Sequence, residues 1–491
     1  MASISAILPL CLSLILLFQV STGQFSFGES SRGFRGDQAS RQQQCRFEHL
    51  AALEATEQQR SEAGFTEYYN TDARNEFGCA GVNVRRWVVE SKGLVLPTYA
   101  GAHKLVYIVQ GRGVFGMALP GCPETFQSVR STFEQQVEST QKLMDEHQQI
   151  QQFRQGDVIA VPAGVPLWLY NNGDSTVIAF SIIDTGNNAN QLDPRTREFF
   201  LAGKPRSWQS QQQYSYQAEQ QSSNQNIFAG FNPDVLAEAL GVSRQTAIRL
   251  QGLNDQRGAI IRVEHGLQAL QPSSQTEPRR QEEQGQVYVP TQEQQLGGSR
   301  AQQNGLDEIS CSFKLRKNIN NPQSTDIFNP RGGRITRANS QNFPILNIIQ
   351  MSATRTVLQN NALLTPHWTV NAHTVMYVTA GQGRIQVVDH RGRSVFDGEL
   401  HQDQILLIPQ NFAVLVKARR EGFAWVSFKT NHNAIDSQIA GKASILRALP
   451  VDVVANAYRL SREESRSLKF NRGDEMAVFA PRQEQQSYAD Q

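Results

Sequence analysis

The sequence predicts a mainly β protein made of two copies of one strand-rich barrel, each followed by a small α-helical extension. Three observations carry this reading. Short apolar segments rich in Val, Ile, Leu, Tyr and Phe alternate with Gly and Pro turns; the same series of segments returns in the second half; and a long polar run separates the two halves. At 491 residues the chain suits two or three domains, each able to bury a core.

The chain opens on a nearly uninterrupted apolar run from Ala6 to Phe18, too short to be a comfortable membrane span, followed by the small residues Ser21, Thr22 and Gly23. It reads as a secretory signal over residues 1–23, cut near Gly23 and Gln24, although no basic residue precedes the apolar core. No later run of ~20 apolar residues occurs, so the mature chain is expected to be soluble, with no membrane association once the signal is removed. Residues 24–44, rich in Gly, Arg and Gln, read as a flexible lead-in.

With Cys11 removed, Cys45, Cys79, Cys122 and Cys311 remain, an even number in an oxidising compartment, and two disulfides are expected. Sequence alone permits three pairings. Cys45 and Cys79 share the N-terminal segment, Cys122 follows a strand hairpin and Cys311 lies just past the inter-half junction; the expectation is Cys45 with Cys79 and Cys122 with Cys311.

The first domain, residues 45–270, reads as strands over Val82 to Val89, Gly93 to Tyr99, Lys104 to Val109 and Gly113 to Ala118, then a Gln-rich insertion from Thr125 to Gln152. Strands resume at Asp157 to Val161, Pro166 to Tyr170 and Thr176 to Ile183. Asp193-Pro194 offers an N-cap and first turn for a helix over Leu192 to Ala202, and Asn232-Pro233 does so for a second. Residues 271–304, rich in Gln, Ser, Pro, Glu and Gly, have too little apolar surface to offset their ordering entropy and read as a disordered linker.

The second domain, residues 305–480, repeats this order before a flexible tail over 481–491. Met376-Tyr377-Val378-Thr379-Ala380-Gly381-Gln382-Gly383 echoes Val106-Tyr107-Ile108-Val109-Gln110-Gly111-Arg112-Gly113, and Ile405 to Pro409 echoes Val158 to Pro162. The helical stretch from Asp452 matches that from Asp234. Charge divides at the same point: residues 24–304 carry 25 Lys+Arg against 29 Asp+Glu, and residues 305–491 carry 22 against 16, an acidic piece of about −4 and a basic one of about +6. The overall net charge of +2 predicts no nucleic-acid partner, and the abundance of Gln and Arg makes the composition rich in nitrogen.

Motifs of chemistry are sparse. Gly111-Arg112-Gly113-Val114-Phe115-Gly116 fits a dinucleotide pattern, but it leads into a strand, and without a helix N-terminus it is a hairpin turn. No nucleophile elbow, zinc-protease helix or complete P-loop occurs. Gly156, Pro162, Gly164 and Asn171 resemble the second motif of the cupin superfamily, whose barrels place four metal ligands at fixed positions. Those positions fall on Pro97, Tyr99, Lys104 and Leu167 in the first barrel and on His367, Thr369, Thr374 and Val414 in the second. A metal of this type needs about three protein ligands, so His367 alone is expected to bind none; His103 and His373 are placed in hairpin turns without a catalytic role. The expectation is no cofactor, no metal and no active site.

The signal, the two ligand-depleted barrels, the linker and Asn304-Gly305-Leu306-Asp307-Glu308 with Cys311 just after it resemble the 11S seed storage globulins, the legumin and glutelin type. Phe328-Asn329-Pro330-Arg331-Gly332-Gly333-Arg334-Ile335 and Ile445 to Val453 carry the same resemblance. Alone, Asn304-Gly305 fits an ordinary turn. The resemblance implies cleavage between Asn304 and Gly305 by an asparaginyl endopeptidase, leaving acidic and basic chains joined by Cys122 and Cys311. It further implies two jelly-roll cupin barrels, and homotrimers clasped by helices near Asp193 to Ala202, Pro233 to Val242, Asp436 to Leu446 and Asp452 to Ser461, which pair into hexamers after cleavage. The expected route is through the endoplasmic reticulum to the protein storage vacuole of a seed, and allergenicity is common in the family. Two rivals are a metal-dependent bicupin such as an oxalate oxidase or decarboxylase, which needs the missing ligands, and a vicilin-like small-ligand binder, which usually lacks the Asn-Gly junction.

Overall fold

The structure, a computed structural model, describes residues 45, 47–69, 76–120, 122, 126–129, 143–146, 150–192, 196–203, 226–267 and 313–481. The signal, the lead-in, the linker, Gly23, Gln24, Asn304, Gly305 and Cys311 lie outside them.

The first half runs β1 (Glu57–Ser61), β2 (Gly64–Tyr68), α1 (Glu76–Ala80), β3 (Val82–Val89), β4 (Gly93–Ala100), β5 (His103–Gln110) and β6 (Arg112–Met117). A hairpin inside the Gln-rich insertion, β7 (Phe126–Val129) and β8 (Leu143–Glu146), precedes β9 (Ile150–Arg154), β10 (Asp157–Val161), β11 (Leu167–Tyr170), β12 (Val177–Asp184) and β13 (Glu198–Phe200). Helices α2 (Pro233–Leu240) and α3 (Arg244–Gln251) and strand β14 (Ile260–Arg262) close the half. All barrel pairings are antiparallel: β1-β2-β3-β12-β5-β10 form one sheet and β13-β4-β11-β6-β9 the other, with β14 beside β4. β3 and β4 alternate between buried and half-buried side chains, whereas β5, β10 and β12 are buried almost throughout, as strands in short runs of β-branched and aromatic residues can be.

The second half runs β15 (Arg316–Asn318), β16 (Ile327–Asn329), β17 (Gly333–Ala338), α4 (Leu346–Ile349), β18 (Ser352–Leu358), β19 (Leu363–Thr369), β20 (Thr374–Val388), β21 (Ser394–Leu400), β22 (Ile405–Ile408), β23 (Ala413–Lys429) and β24 (Asp436–Gln438). Then come α5 (Ile445–Ala448), α6 (Val451–Tyr458), α7 (Arg462–Phe470) and β25 (Val478–Phe479). The repeat extends to single residues. Gly111 and Gly381, equivalent by sequence, both take positive φ, and a Cβ there would sit 2.8 Å from Val177 Cγ2 and 2.3 Å from Gly422 O respectively. The glycine-rich run is therefore a strand bend, continuous within β20 and broken between β5 and β6.

Helix ends obey local chemistry. Asn232 accepts the amides of Asp234 and Val235 at the start of α2, Gly241 ends it at φ 64, and Ser461 with Glu464 forms a capping box on α7. Two helical expectations fail. The described part of 192–202 holds strand β13, and the stretch from Asp436 begins as strand β24 before the single turn of α5. Each described strand lies against the edge of a barrel, β13 on β4 and β24 on β19, and takes its conformation from that backbone pairing; Asp193 and Pro194 lie outside the described residues.

The two barrels meet through one buried face each. Leu105, Tyr107, Phe180 and Ile182 of the first pack with Val375, Tyr377, Ile405, Leu407, Val426 and Phe428 of the second in one continuous core. Each half also sends an arm across. Leu50 donates to Val395 O and Leu53 pairs with Ile405, so residues 47–54 lie on the second barrel. Conversely β15 pairs with β10 of the first barrel, and Leu315 and Ile319 join its core. The expected division at 270 and 305 is thus crossed in both directions.

Candidate functional site

The residues of the cupin-like motif serve the scaffold. Asn171 Nδ2 donates to the carbonyls of Val89, Glu90 and Ser175 at 2.8–3.0 Å, and its Oδ1 accepts the Gly173 amide at 3.0 Å, tying the β11–β12 loop to the β3–β4 turn. Gly156 has φ 88, and a Cβ there would meet Asn320 Cβ at 2.3 Å. His103 and His373, equivalent in the repeat, take parallel roles: Nδ1 accepts the amide of Ala163 at 3.0 Å and of Gln410 at 3.2 Å. Both sit at the mouth of a barrel, His103 as the first residue of β5 and His373 one residue before β20.

At the former metal positions of the first barrel, Leu167 is buried and Tyr99 stacks on Phe199 with centroids 4.9 Å apart. Lys104, 1 % exposed, points Nζ at Glu198 Oε1, 3.1 Å away. Arg85 grips both oxygens of the same carboxylate and lies 4.7 Å from the centroid of the Trp87 ring. Burial lowers Arg85 to about 10, and burial with the adjacent Arg85 charge pulls Lys104 well below the usual lysine range.

In the second barrel all four former positions, His367, Thr369, Thr374 and Val414, line one cavity of about 50 Å³. His367 Nδ1 lies 2.9 Å from Thr365 O and so carries the proton; burial lowers its pKa against the opposing pull of Asp436. Asp436 Oδ1 accepts Thr369 Oγ1 at 2.8 Å and the Lys429 ammonium, which also reaches Thr369 Oγ1 at 3.2 Å. Burial acts to raise the Asp436 pKa, but Lys429, His367 and these hydrogen bonds overcome it and hold the carboxyl well below the usual range. The donor set does not suit a divalent metal: one imidazole remains, and the one carboxylate is claimed by an ammonium. Among the described residues no group of three or more His, Cys, Asp or Glu could hold one.

Reading ligand positions along the sequence misses a relation between the two clusters. Gly64 opposite Val89 and Gly333 opposite Leu358 put the two strand pairs in the same register. In that frame Arg85 faces Tyr68 across β3 and β2, whereas Arg337 faces Thr354 across β17 and β18. Likewise Lys104 on β5 faces Ile183, whereas Lys429 on β23 faces Thr374. Each barrel therefore keeps two cations and one carboxylate at its mouth, with both cations moved to the opposite strand of the pair. The signal in the sequence is a cation at an inward position of an apolar strand, as at Lys429 after Trp425 and Ser427.

Cys45 and Cys79 form a disulfide with Cα atoms 5.6 Å apart. Cys122 is also disulfide-bonded and packs against the shared core.

A cupin family profile matches residues 50–207 and 317–466. Over 487 residues the chain is 49% identical to glutelin type-A 1 of Oryza sativa subsp. japonica, covering 97% of this chain and 96% of that protein. The chain belongs to the 11S seed storage globulins of the cupin family. The globulin superposes on the crystal structure of the coconut allergen cocosin with a TM-score of 0.74 at 46% identity, over 89% of this chain and 100% of that one. For the recombinant pro-11S globulin of pumpkin the TM-score is 0.72 at 39% identity, over 89% and 100%. The globulin is accordingly a seed storage protein, and none of its described helices is long and apolar enough to cross a membrane.

Proposed function

We propose that this globulin is a nutrient reservoir that works by mass, packing density and amide and guanidinium nitrogen, and that it is assembled in two stages controlled by one cut. The secretory signal ends near Gly23 and Gln24, and the proglobulin travels through the endoplasmic reticulum to seed protein bodies. An asparaginyl endopeptidase cuts between Asn304 and Gly305, and Cys122 paired with Cys311 keeps the acidic and basic chains together. The proglobulin forms trimers, and the cut trimers pair into hexamers.

The observation that carries assembly is the apolar face left open on both helical extensions. Val235, Leu240, Ile248 and Leu250 in the first, and Val453, Tyr458, Leu468 and Phe470 in the second, are all exposed, Val235 by 63%. Capped helices with two such faces per chain suit head-to-tail contacts that close into a ring. The long polar stretch before Asn304 supports the second stage, since a bulky polar segment on one trimer face blocks pairing until it is freed. No catalytic step belongs to this function; an oxalate-oxidase-like reading lacks its ligand set at Tyr99, Lys104, Leu167, Thr369, Thr374 and Val414.

Sedimentation of the proglobulin before and after treatment with an asparaginyl endopeptidase tests this. Trimers should become hexamers, and the Asn304→Ala variant should stay trimeric. Hexamers formed by uncut Asn304→Ala protein would overturn the role of the cut.

A further inference from the structure

We propose that the cavity at the mouth of the second barrel binds a small monocarboxylate of the size of acetate to pyruvate, held by the Arg337 fork beside Lys429. This goes beyond storage and needs neither the cut nor the assembly.

Size comes first. A cavity needs roughly 10–15 Å³ of such space to hold one water. The space of about 50 Å³ therefore admits about four non-hydrogen atoms, somewhat more with small side-chain movements. Charge points the same way. Arg337, Lys429 and Asp436 all line the cavity, two cations against one carboxylate. Asp436 is already engaged by Lys429 and Thr369, while among the described residues the Arg337 side chain makes no hydrogen bond or ion pair. A half-buried guanidinium left uncompensated beside a second cation attracts an anion, and its planar fork matches a carboxylate better than a spherical ion. The remaining wall, including Ile335, Met376 and Val414, is apolar and suits a methyl or ethyl tail.

The first barrel shows what such an occupant looks like. There Arg85 and Lys104 converge on one carboxylate, that of Glu198, and Arg85 holds both its oxygens. Glu198 enters on β13, which pairs with β4 as β24 pairs with β19. In the second barrel the carboxylate on β24 is the shorter Asp436, and it reaches Lys429 and not the guanidinium. The first barrel thus carries its carboxylate internally, whereas the second leaves the guanidinium half of the same receptor open.

Calorimetric titration of the full-length globulin with acetate, propionate and hexanoate, against chloride at equal ionic strength, tests the assignment. Saturable binding of one acetate or propionate per chain is expected, absent for chloride and lost for hexanoate. Arg337→Gln should weaken it by roughly tenfold or more, the worth of a charge-assisted hydrogen bond, with its thermal midpoint in chloride serving as the check on folding. The length cut-off is read on the unaltered protein, so the proposal stays exposed if the variant does not fold. Absence of saturable binding, an equal response to chloride, binding of hexanoate as tight as that of acetate, or unchanged affinity in folded Arg337→Gln would overturn it.

Discussion

Phe180 of the first barrel stacks on Tyr377 of the second, with ring centroids 4.3 Å apart and planes inclined by 22°. Around this pair the outer faces of β12 and β20 lose their solvent together, and the Phe428 ring also stacks with Phe180, with centroids 5.6 Å apart. Tyr377 Oη also donates to Asp403 Oδ1 at 2.6 Å, and Arg86 of the first barrel approaches the same carboxylate at 3.6 Å. The two repeats thus share one core rather than standing as beads on a string. Phe180→Ala is expected to cost about 3–5 kcal/mol and to keep a single cooperative transition in urea; two separated transitions in the unaltered protein would contradict a shared core.

The Lys429 and Asp436 pair should behave as a buried charge pair. Removing the ammonium leaves the carboxylate unpaired, so Lys429→Met is expected to cost about 3–5 kcal/mol. Removing both, as Lys429→Met with Asp436→Leu, should recover most of that loss. Denaturant midpoints of the two variants decide it, and a double variant no better than the single one would show that packing, not charge, sets the cost.

His103 predicts the shape of the acid limb. Burial lowers its pKa to about 4, against an ordinary value of 6.5. Above pH about 6.5 the imidazole is neutral in folded and unfolded chains alike, so the full stability is present there. Between that point and pH about 4 only the unfolded chain binds the proton, and stability falls as pH falls, by roughly 3 kcal/mol in all. The loss is chemical in origin, since Nδ1 must stay unprotonated to accept the Ala163 amide. Asp436, held low, adds its own loss only at lower pH, below the ordinary carboxylate range. His103→Gln should make the first limb shallower, leaving the share of His367, whose pKa burial also lowers, and should leave the second; an unchanged limb over that window would remove His103 from the account.

The exposed helix faces give the next expectation. Val235→Glu or Val453→Glu places a charge in the proposed ring contact while touching no barrel core, Val453 being 48% exposed. Each variant should fold, with an unaltered far-ultraviolet spectrum, and sediment as a monomer. Trimers of normal mass would assign assembly to another surface.

The seven core strands of the first barrel were legible as short apolar segments bounded by Gly and Pro turns, whereas β1, β2, β9 and β14, and the hairpin inside the Gln-rich insertion, were not. Val82 to Val89 and Asp157 to Val161 coincide with β3 and β10, and the other expected strands of the first half differ from the observed ones by one residue at one or both ends. The strands β13 and β24 were not, because each is three residues long and owes its conformation to the strand beside it. The arms that carry Leu53 and Leu315 to the opposite barrels were equally hidden, since no local periodicity encodes which partner a short segment meets. At the barrel mouths, comparison residue by residue found the metal ligands gone but not what replaced them. Charge there is kept in space and not in sequence: Arg85 and Arg337, or Lys104 and Lys429, occupy opposite strands of equivalent pairs.

The central claim is that a cut after Asn304 divides a storage globulin whose halves stay covalently joined. Denaturing electrophoresis of the protein from ripe seed, with and without reductant, tests it most directly. A single band without reductant that resolves with reductant into a larger acidic and a smaller basic chain, the latter beginning at Gly305, is the expected result. An intact chain under both conditions, or two separate chains without reductant, would contradict it.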